Sequence, residues 1–348
     1  MLKRATITPI FKEGDPFSIE NYRPFSILPT VSKVFEKIIA QQLRSFLECR
    51  FSNMLSGFRK GYSTQHALLR LLHKWQKALD SSNIVGTVLM DLSKAYDSLP
   101  HDQMIAKLAA YGLSYDSLLF IYNYLKHRQH RVKIGNQLSK FLCIILGIPQ
   151  GSILGPLRFN LFINDLLFFA PDSEICNFAD DNTLYTCAKS VDNVLSTLKD
   201  EVEDIIYWFE INSLAANPAK FQVMLLGAKE HISHFRIGNI SVEIKDYVKL
   251  LGIHIDNKLR FNEYVDKKCQ KASNKIKALR RIRPFLSFEA ANSLCNAFIF
   301  SNFNYCPLIW MNFIKTNNLK IDKIQRRALS VHSLSKLFVK FTRTSNII

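Results

Sequence analysis

Residues 177–185, "NFADDNTLY", set two aspartates side by side in a stretch that otherwise reads as strand. Ile175 and Phe178 precede the pair, and Thr183, Leu184 and Tyr185 follow it. Adjacent carboxylates repel each other and fit a strand interior poorly, so Asp180 and Asp181 read as the bend of an apolar hairpin. A third carboxylate has a similar setting. "NIVGTVLMDLSKAYDSL" begins as a buried strand at Ile84, Val85, Val88 and Leu89, then turns polar at Asp91. Strands that bring these ends together crowd three carboxylates into a small volume, which calls for neutralising cations. Hard oxygen ligands with room for phosphate and water suit magnesium, and two such ions form a clamp for in-line phosphoryl displacement. A lone Asp-Asp pair is more often turn chemistry, so the surroundings decide.

The chain has 348 residues, which suggests two or three subdomains. Apolar content of 48% against 22% charged describes a folded protein. Lys and Arg number 46 against 29 Asp and Glu, a net charge of +17, which fits a polyanionic partner or a solvated basic surface. The excess is uneven, because the segment from Asp256 onward holds 18 Lys and Arg against 5 Asp and Glu. Seven cysteines without CxxC spacing argue for reduced thiols inside the cell and against zinc. No signal-peptide core opens the chain, so the expectation is an intracellular protein, not secreted. The apolar run 141–170 is broken by Pro149, Gly151, Pro156, Arg158 and Asp165 and does not span a bilayer, so no membrane partner is expected.

Helices and strands mix along the chain. "TVSKVFEKIIAQQLRSFLE" predicts a helix opened by Thr30 or Ser32, with Val34, Ile38 and Leu43 among its apolar positions. "STQHALLRLLHKWQKALD" predicts another, capped by Ser63 or Thr64, and "DNVLSTLKDEVEDIIYWFEINSL" an acidic amphipathic one. An apolar strand is expected around 141–148, broken by Gly147 and Pro149. Short strands follow in "KFQVMLLG", "FRIGNISVEI" and "VKLLGIHID". In "NEYVDKKCQKASNKIKALRRIR", Val265, Cys269, Ala272, Ile276 and Leu279 form one helical stripe opposite a lysine and arginine face. That face suits a phosphate backbone or simply water. Helices alternating with hairpin-rich antiparallel strands give an α+β class.

Eight blocks occur in order: "TPIFKEGD", "NYRPFSILPTVSKVFEKII", "GFRKGYSTQHAL", "MDLSKAYDSLPHD", "GIPQGSILGPLRFNLFINDL", "FADDNTLY", "NPAKFQVMLLG" and "VKLLGIHID". Together they resemble the reverse transcriptases of non-LTR, LINE-type retrotransposons of the jockey and CR1 kind, through about Leu329 in "KIQRRAL". The resemblance implies a right-hand polymerase fold. Residues 1–75 would be fingers, 76–255 palm with an interleaved fingers segment and primer-grip hairpin, and 256–348 a basic helical thumb and tail.

By position, the resemblance makes Asp91, Asp180 and Asp181 the catalytic ligands of two magnesium ions, with manganese a substitute. Tyr96 would lie under the incoming sugar and obstruct a 2′-hydroxyl. Gln150 and Gly151 would sit at the deoxynucleoside triphosphate, glycine admitting close backbone approach, and Lys12 and Arg23 would hold its phosphates. Lys220 would protonate leaving pyrophosphate. Arg59 and Lys60 would meet template or primer, Leu251 and Gly252 the primer end, and Lys267, Lys268, Lys271, Lys275 and Arg281 a duplex backbone. The implied partners are an RNA template, a DNA primer and deoxynucleotides, in a nuclear or cytoplasmic ribonucleoprotein.

Some features depart from the family pattern. No apurinic-type endonuclease has room here, so that activity is expected from a region upstream of this chain. "NMLS" precedes "GFRKGYST" where relatives more often carry a glutamine-bearing run, and after "QRRAL" the tail loses resemblance. Two classes follow: an RNA-directed DNA polymerase core, or a catalytically inactive truncated remnant that only binds nucleic acid.

Overall fold

The computed structural model describes residues 3–331 apart from 94, 148 and 313. The divergent tail after Val331 lies outside the described residues. Two compact units emerge, one from the described residues of Met1–Ser63 and Trp75–Ile244, the other from those of Thr64–Lys74 and Lys245–Ile348.

The first unit opens with strands β1 (Arg4–Phe11) and β2 (Tyr22–Ile27) and helix α1 (Thr30–Leu47); helix α2 (Thr64–Asp80) is divided between the units. Next come β3 (Ile84–Ser93), α3 (Ala95–Ser98), α4 (His101–Ala110) and α5 (Tyr115–Leu125). They are followed by β4 (Gln129–Ile134), β5 (Gln137–Leu138), β6 (Leu142–Cys143) and α6 (Gly155–Ile163). The unit ends with β7 (Glu174–Phe178), β8 (Asp181–Ala188), α7 (Val191–Ile211), β9 (Ala215–Ala216), β10 (Gln222–Leu226), β11 (His234–Ile237) and β12 (Ile240–Glu243).

A central antiparallel sheet runs β10-β3-β8-β7, with β9 paired to the far end of β3. Both faces of β3 are covered, which is why it reads as a nearly continuous apolar run rather than an alternating one. On one face Val194 and Leu198 of α7 lie against Gly86. On the other, Trp75 meets the ring of Tyr185, which pairs with Thr87 in the ladder. Helix α7 is as its pattern predicts: Ser190 caps it by accepting from the Asn193 amide, and Val194, Leu198, Val202, Ile205 and Phe209 are buried at steps of three and four. The second sheet, β2-β1-β4-β5 with β6 on β4, has β1 and β4 parallel.

Two expectations need correction. Helix α1 starts at Thr30 with Pro29 at the cap, and its predicted apolar positions Val34 and Ile38 are 58% and 53% exposed. The buried side instead carries Ser32, Glu36, Ala40 and Leu47. The Glu36 carboxylate orients this face, accepting from the Tyr124 hydroxyl, the Ser152 hydroxyl at 2.9 Å and the Ile153 amide at 2.7 Å. The apolar run at 141–148 forms only the two-residue β6, with Leu142 72% and Ile145 79% exposed. Its one ladder partner is β4, and Gly147, at φ +83°, then turns the chain away.

The second unit holds β13 (Tyr247–Leu250), β14 (Ile253–Asp256), α8 (Asn262–Ile282), α9 (Phe288–Leu294) and α10 (Lys315–Ser330). The Asp256 carboxylate ties the turn into α8, accepting from the amides of Lys258, Arg260 and Phe261. Val265, Ala272, Ile276 and Leu279 are buried as the stripe predicts, and Cys269 is half-buried. Among the described residues no helix is long and apolar enough to cross a membrane, and the seven cysteines are free.

Candidate active site

The antiparallel register of β3 and β8 sets Asp91 directly opposite Asp181. Opposed residues of such a ladder project to one side of the sheet. Phe178 pairs with Asp181, so Ala179 and Asp180 form a two-residue hairpin turn, with Ala179 at φ +57°. Asp180 thus adjoins the opposed pair. Asp181 is exposed as a residue, yet crowding strips water from its carboxyl. That desolvation first, then the charges of Asp180 and Asp91, push its pKa up to about 6. Among the described residues, no three His, Cys, Asp or Glu side chains converge so that they could hold a metal ion by themselves.

The hairpin is braced by residues 54–57, just ahead of Arg59 and Lys60. Leu55 bridges Asn177, the Ser56 amide donates to the Asn177 carbonyl at 2.8 Å, and the Asn177 amide donates to the Met54 carbonyl at 3.1 Å. At Gly57 an added Cβ would lie 2.2 Å from the Ala179 nitrogen, so only glycine lets this segment lie against the turn. The glycine of "SGFRKG" was the available signal, but what it packs against is a long-range fact.

Tyr96, just past β3, stacks on Phe159 at 4.6 Å and meets Phe58 edge-on at 6.2 Å. Burial, then the charge of Asp180, hold its hydroxyl well above the ordinary tyrosine range, and that oxygen has no hydrogen-bond partner among the described residues. Gln150 donates its side-chain amide to both carboxylate oxygens of Asp97, at 3.0 and 3.2 Å. The close approach expected of Gly151 is to the protein itself: at φ +115°, an added Cβ would lie 2.6 Å from the Ser26 carbonyl oxygen.

The basic positions differ in availability. Register places Arg23 opposite Ile10, and strand alternation puts Lys12 on the same side of the hairpin as Ile10; both cations are exposed. Lys220 is exposed at the end of a short turn that follows β9, the strand paired to the end of β3. Lys60 is exposed. Arg59 is a correction. It is 8% exposed, ion-paired to Glu48 at 2.8 Å, and donates to the carbonyls of Ser52 and Leu55. Its Nε and Nη1 donors tie its own loop rather than being offered to a nucleic acid.

In the second unit, Leu251 and Gly252 form the two-residue turn of β13 and β14, at φ +46° and +79°. The Tyr305 hydroxyl donates to the Leu251 carbonyl at 2.6 Å. The basic face of α8 is partly engaged. Lys267 pairs with Glu263, Lys268 is half-buried 5.3 Å from the Tyr264 ring, and Lys275 lies 5.7 Å from the Phe298 ring. Burial, then neighbouring Lys271, lowers the Lys268 pKa. Lys271 and Arg281 are exposed.

A fold in which paired carboxylates close a central antiparallel sheet has clear relatives. The family described as "Reverse transcriptase (RNA-dependent DNA polymerase)" matches residues 10–255, and the chain belongs to it. Among curated proteins it is 26% identical to "Probable RNA-directed DNA polymerase from transposon BS" of Drosophila melanogaster, over 98% of this chain and 39% of that protein. It is likewise 26% identical to "RNA-directed DNA polymerase from mobile element jockey" of the same organism, over 76% of this chain and 30% of that protein. The chain thus spans well under half the length of these relatives, and the expected likeness to mobile-element reverse transcriptases is borne out. An apo telomerase from Candida Tropicalis, truncated from its C-terminal domain, superposes with a TM-score of 0.53 at 16% identity, covering 73% of this chain and 53% of that one. The telomerase from the same organism with a TWJ fragment of telomeric RNA gives 0.52 at 13% identity, covering 99% and 63%. The α+β, right-hand polymerase fold expected from sequence is that of this chain.

Proposed function

We propose that this chain is the polymerase core of a non-LTR retrotransposon reverse transcriptase, transferring deoxynucleotides to a primer 3′-hydroxyl along an RNA template. The observation that carries the reading is the Asp91–Asp181 register with Asp180 in the adjoining turn, within a chain of the reverse transcriptase family. The all-oxygen donor set fits magnesium, which is commonly held by one or two carboxylates together with substrate phosphates and water rather than by a closed protein cage. Two such ions, or manganese in their place, would activate the attacking hydroxyl and neutralise the leaving group when bound by Asp91, Asp180 and Asp181.

The remaining roles belong to this chain's own side chains. Lys12 and Arg23 hold the triphosphate, and Lys220 supplies a proton to departing pyrophosphate. Tyr96, fixed against Phe159, blocks a 2′-hydroxyl. Lys60 and the free part of the α8 face bind phosphates of the template–primer, and the Leu251–Gly252 turn meets the primer end. Residues 1–75 act as fingers, 76–255 as palm with the primer-grip hairpin, and the basic remainder as thumb.

Primer extension by purified protein on a homopolymer RNA template, with magnesium, tests the reading. Extension is expected with deoxynucleotides, and Tyr96→Ala should admit ribonucleotides more readily. Binding of the duplex without extension would instead favour an inactive remnant.

A further inference from the structure

The face of the central sheet that turns away from the carboxylates carries a buried pair of amides. Successive side chains of a strand point to opposite faces, so Asn182 lies on the side away from Asp181 and its partner Asp91. Register sets Asn182 opposite Asn177 of β7, and the two are 1% and 6% exposed. Asparagine is a poor strand former, and a buried amide costs stability unless its polar ends are matched. Here they are matched to each other and to the turn. Asn177 donates its side-chain NH2 to the Asn182 side-chain oxygen, and Asn182 donates its own to the Asp180 carbonyl at 3.0 Å. A carbonyl only accepts, so these two bonds fix which end of the Asn182 amide faces the turn.

The turn needs such a hold. Ala179 keeps a left-handed φ of +57°, a conformation that a residue with a side chain rarely adopts unless its surroundings impose it. Gly57 presses on the Ala179 backbone, and the Gly57 carbonyl is in turn fixed by the Asn160 side chain, which donates to it at 2.7 Å. That restrains the first residue of the turn. The second, Asp180, is held at its carbonyl by Asn182, and a held peptide plane restrains the direction in which the Asp180 side chain leaves the backbone.

We infer that Asn182 is a positioning residue: oriented by Asn177 and acting through the Asp180 carbonyl, it aims the Asp180 carboxylate at a divalent cation shared with Asp91 and Asp181. This rests on the polymerase reading above, which makes the three carboxylates the metal ligands. Asn182 itself is no ligand, because its side chain is enclosed on the opposite face and both ends of its amide are engaged. Its contribution is preorganisation. With the Asp180 peptide free to rock, the metal has to order the turn as it binds, and affinity falls.

The test measures manganese binding by electron paramagnetic resonance without nucleotide, beside thermal melting and magnesium-dependent primer extension. Asn182→Ala should raise the manganese dissociation constant on the order of tenfold. The magnesium concentration for half-maximal extension should rise in step, with kcat at saturating magnesium changed much less. Asn177→Ala should shift both in the same direction but less, since Asn182 keeps its donor and loses only its orientation. The decisive variant is Asn177→Leu with Asn182→Leu, which removes both partners while nearly keeping their shape. If the pair only matched buried polar groups, that exchange would leave both stability and metal binding close to wild type. Positioning predicts melting close to wild type with the same loss of manganese affinity as Asn182→Ala. An unchanged manganese constant in the folded double variant, or a double variant that does not fold, overturns the inference. Wild type that binds manganese without extending overturns the polymerase reading alone, and the manganese series still decides the role of Asn182. Wild type that binds no manganese overturns both.

Discussion

Asp91, Asp180 and Asp181 stand at the end of the central sheet, where water reaches them, whereas Glu36, Arg128 and Arg158 are enclosed within the same unit. Both groups bring charges close together, but with different consequences. In the first, desolvation and then the charges of Asp180 and Asp91 raise the proton affinity of Asp181, and the mismatch is left for solvent or a cation to meet. In the second, the acceptors of Glu36 are taken by Tyr124, Ser152 and Ile153, and both guanidiniums lie over the Tyr124 ring, at 4.8 and 5.7 Å. Two nitrogens of Arg128 and three of Arg158 are buried without a hydrogen bond among the described residues. Burial lowers the Arg158 pKa. Unmatched charge at an open edge can serve chemistry, but enclosed unmatched charge mainly reduces stability.

The largest effect should fall on the open group. Asp180→Asn is expected to reduce magnesium-dependent extension on the order of a thousandfold, several kcal/mol of lost transition-state stabilisation. Circular dichroism should show the fold intact. Full extension by that variant would remove the distinction between the two groups.

The enclosed group should respond in stability instead. Glu36→Ala leaves the Tyr124 and Ser152 hydroxyls and the Ile153 amide without their acceptor and removes a charge that favours the Arg158 cation, so it should destabilise by about 3–5 kcal/mol in urea unfolding. Arg158→Met trades three unbonded buried nitrogens for apolar volume but removes a cation that interacts with the buried Glu36 charge, so it should cost less than Glu36→Ala in the same unfolding series. A loss equal to that of Glu36→Ala would mean that this guanidinium is better matched than its neighbours indicate.

A smaller effect should appear in the pH dependence of the open group. The folded pKa of Asp181, about 6, lies above its ordinary 3.8, so the folded state binds this proton more tightly than the unfolded chain. The stability due to this group is therefore present at low pH and is lost as pH rises through about 6. With its solvent exposure discounted, about 1 kcal/mol should separate pH 5 from pH 7.5 in wild type and vanish in Asp181→Asn.

The subtlest effect concerns α8, whose charges face water as the carboxylates do. Replacing Lys271, Lys275 and Arg281 with Gln should flatten the salt dependence of template–primer binding by about 0.9 in log–log slope per lost phosphate contact on B-form duplex, with a hybrid behaving comparably. An unchanged slope would mean that this face is only solvated.

Local pattern was enough to read β3, the bend at Asp180, α7 and the α8 stripe, because each follows one period and is bounded by a polar break. The same logic misplaced α1. Its apolar period points to Val34 and Ile38, but partners far along the chain, Tyr124, Ser152 and Ile153, draw Glu36 inward instead. Arg59 reads as a surface cation until Glu48 and two carbonyls occupy its donors. The sequence by itself determined the α+β class, the family and the three carboxylates, since ordered motifs and hydrophobic periods are properties of the chain. Only the tertiary structure decided that Asp91 faces Asp181, that Gly57 backs the hairpin and that Asp97 holds Gln150. Those pairings join distant segments, and strand register and hydrogen-bond partnership exist only once the strands and loops have met.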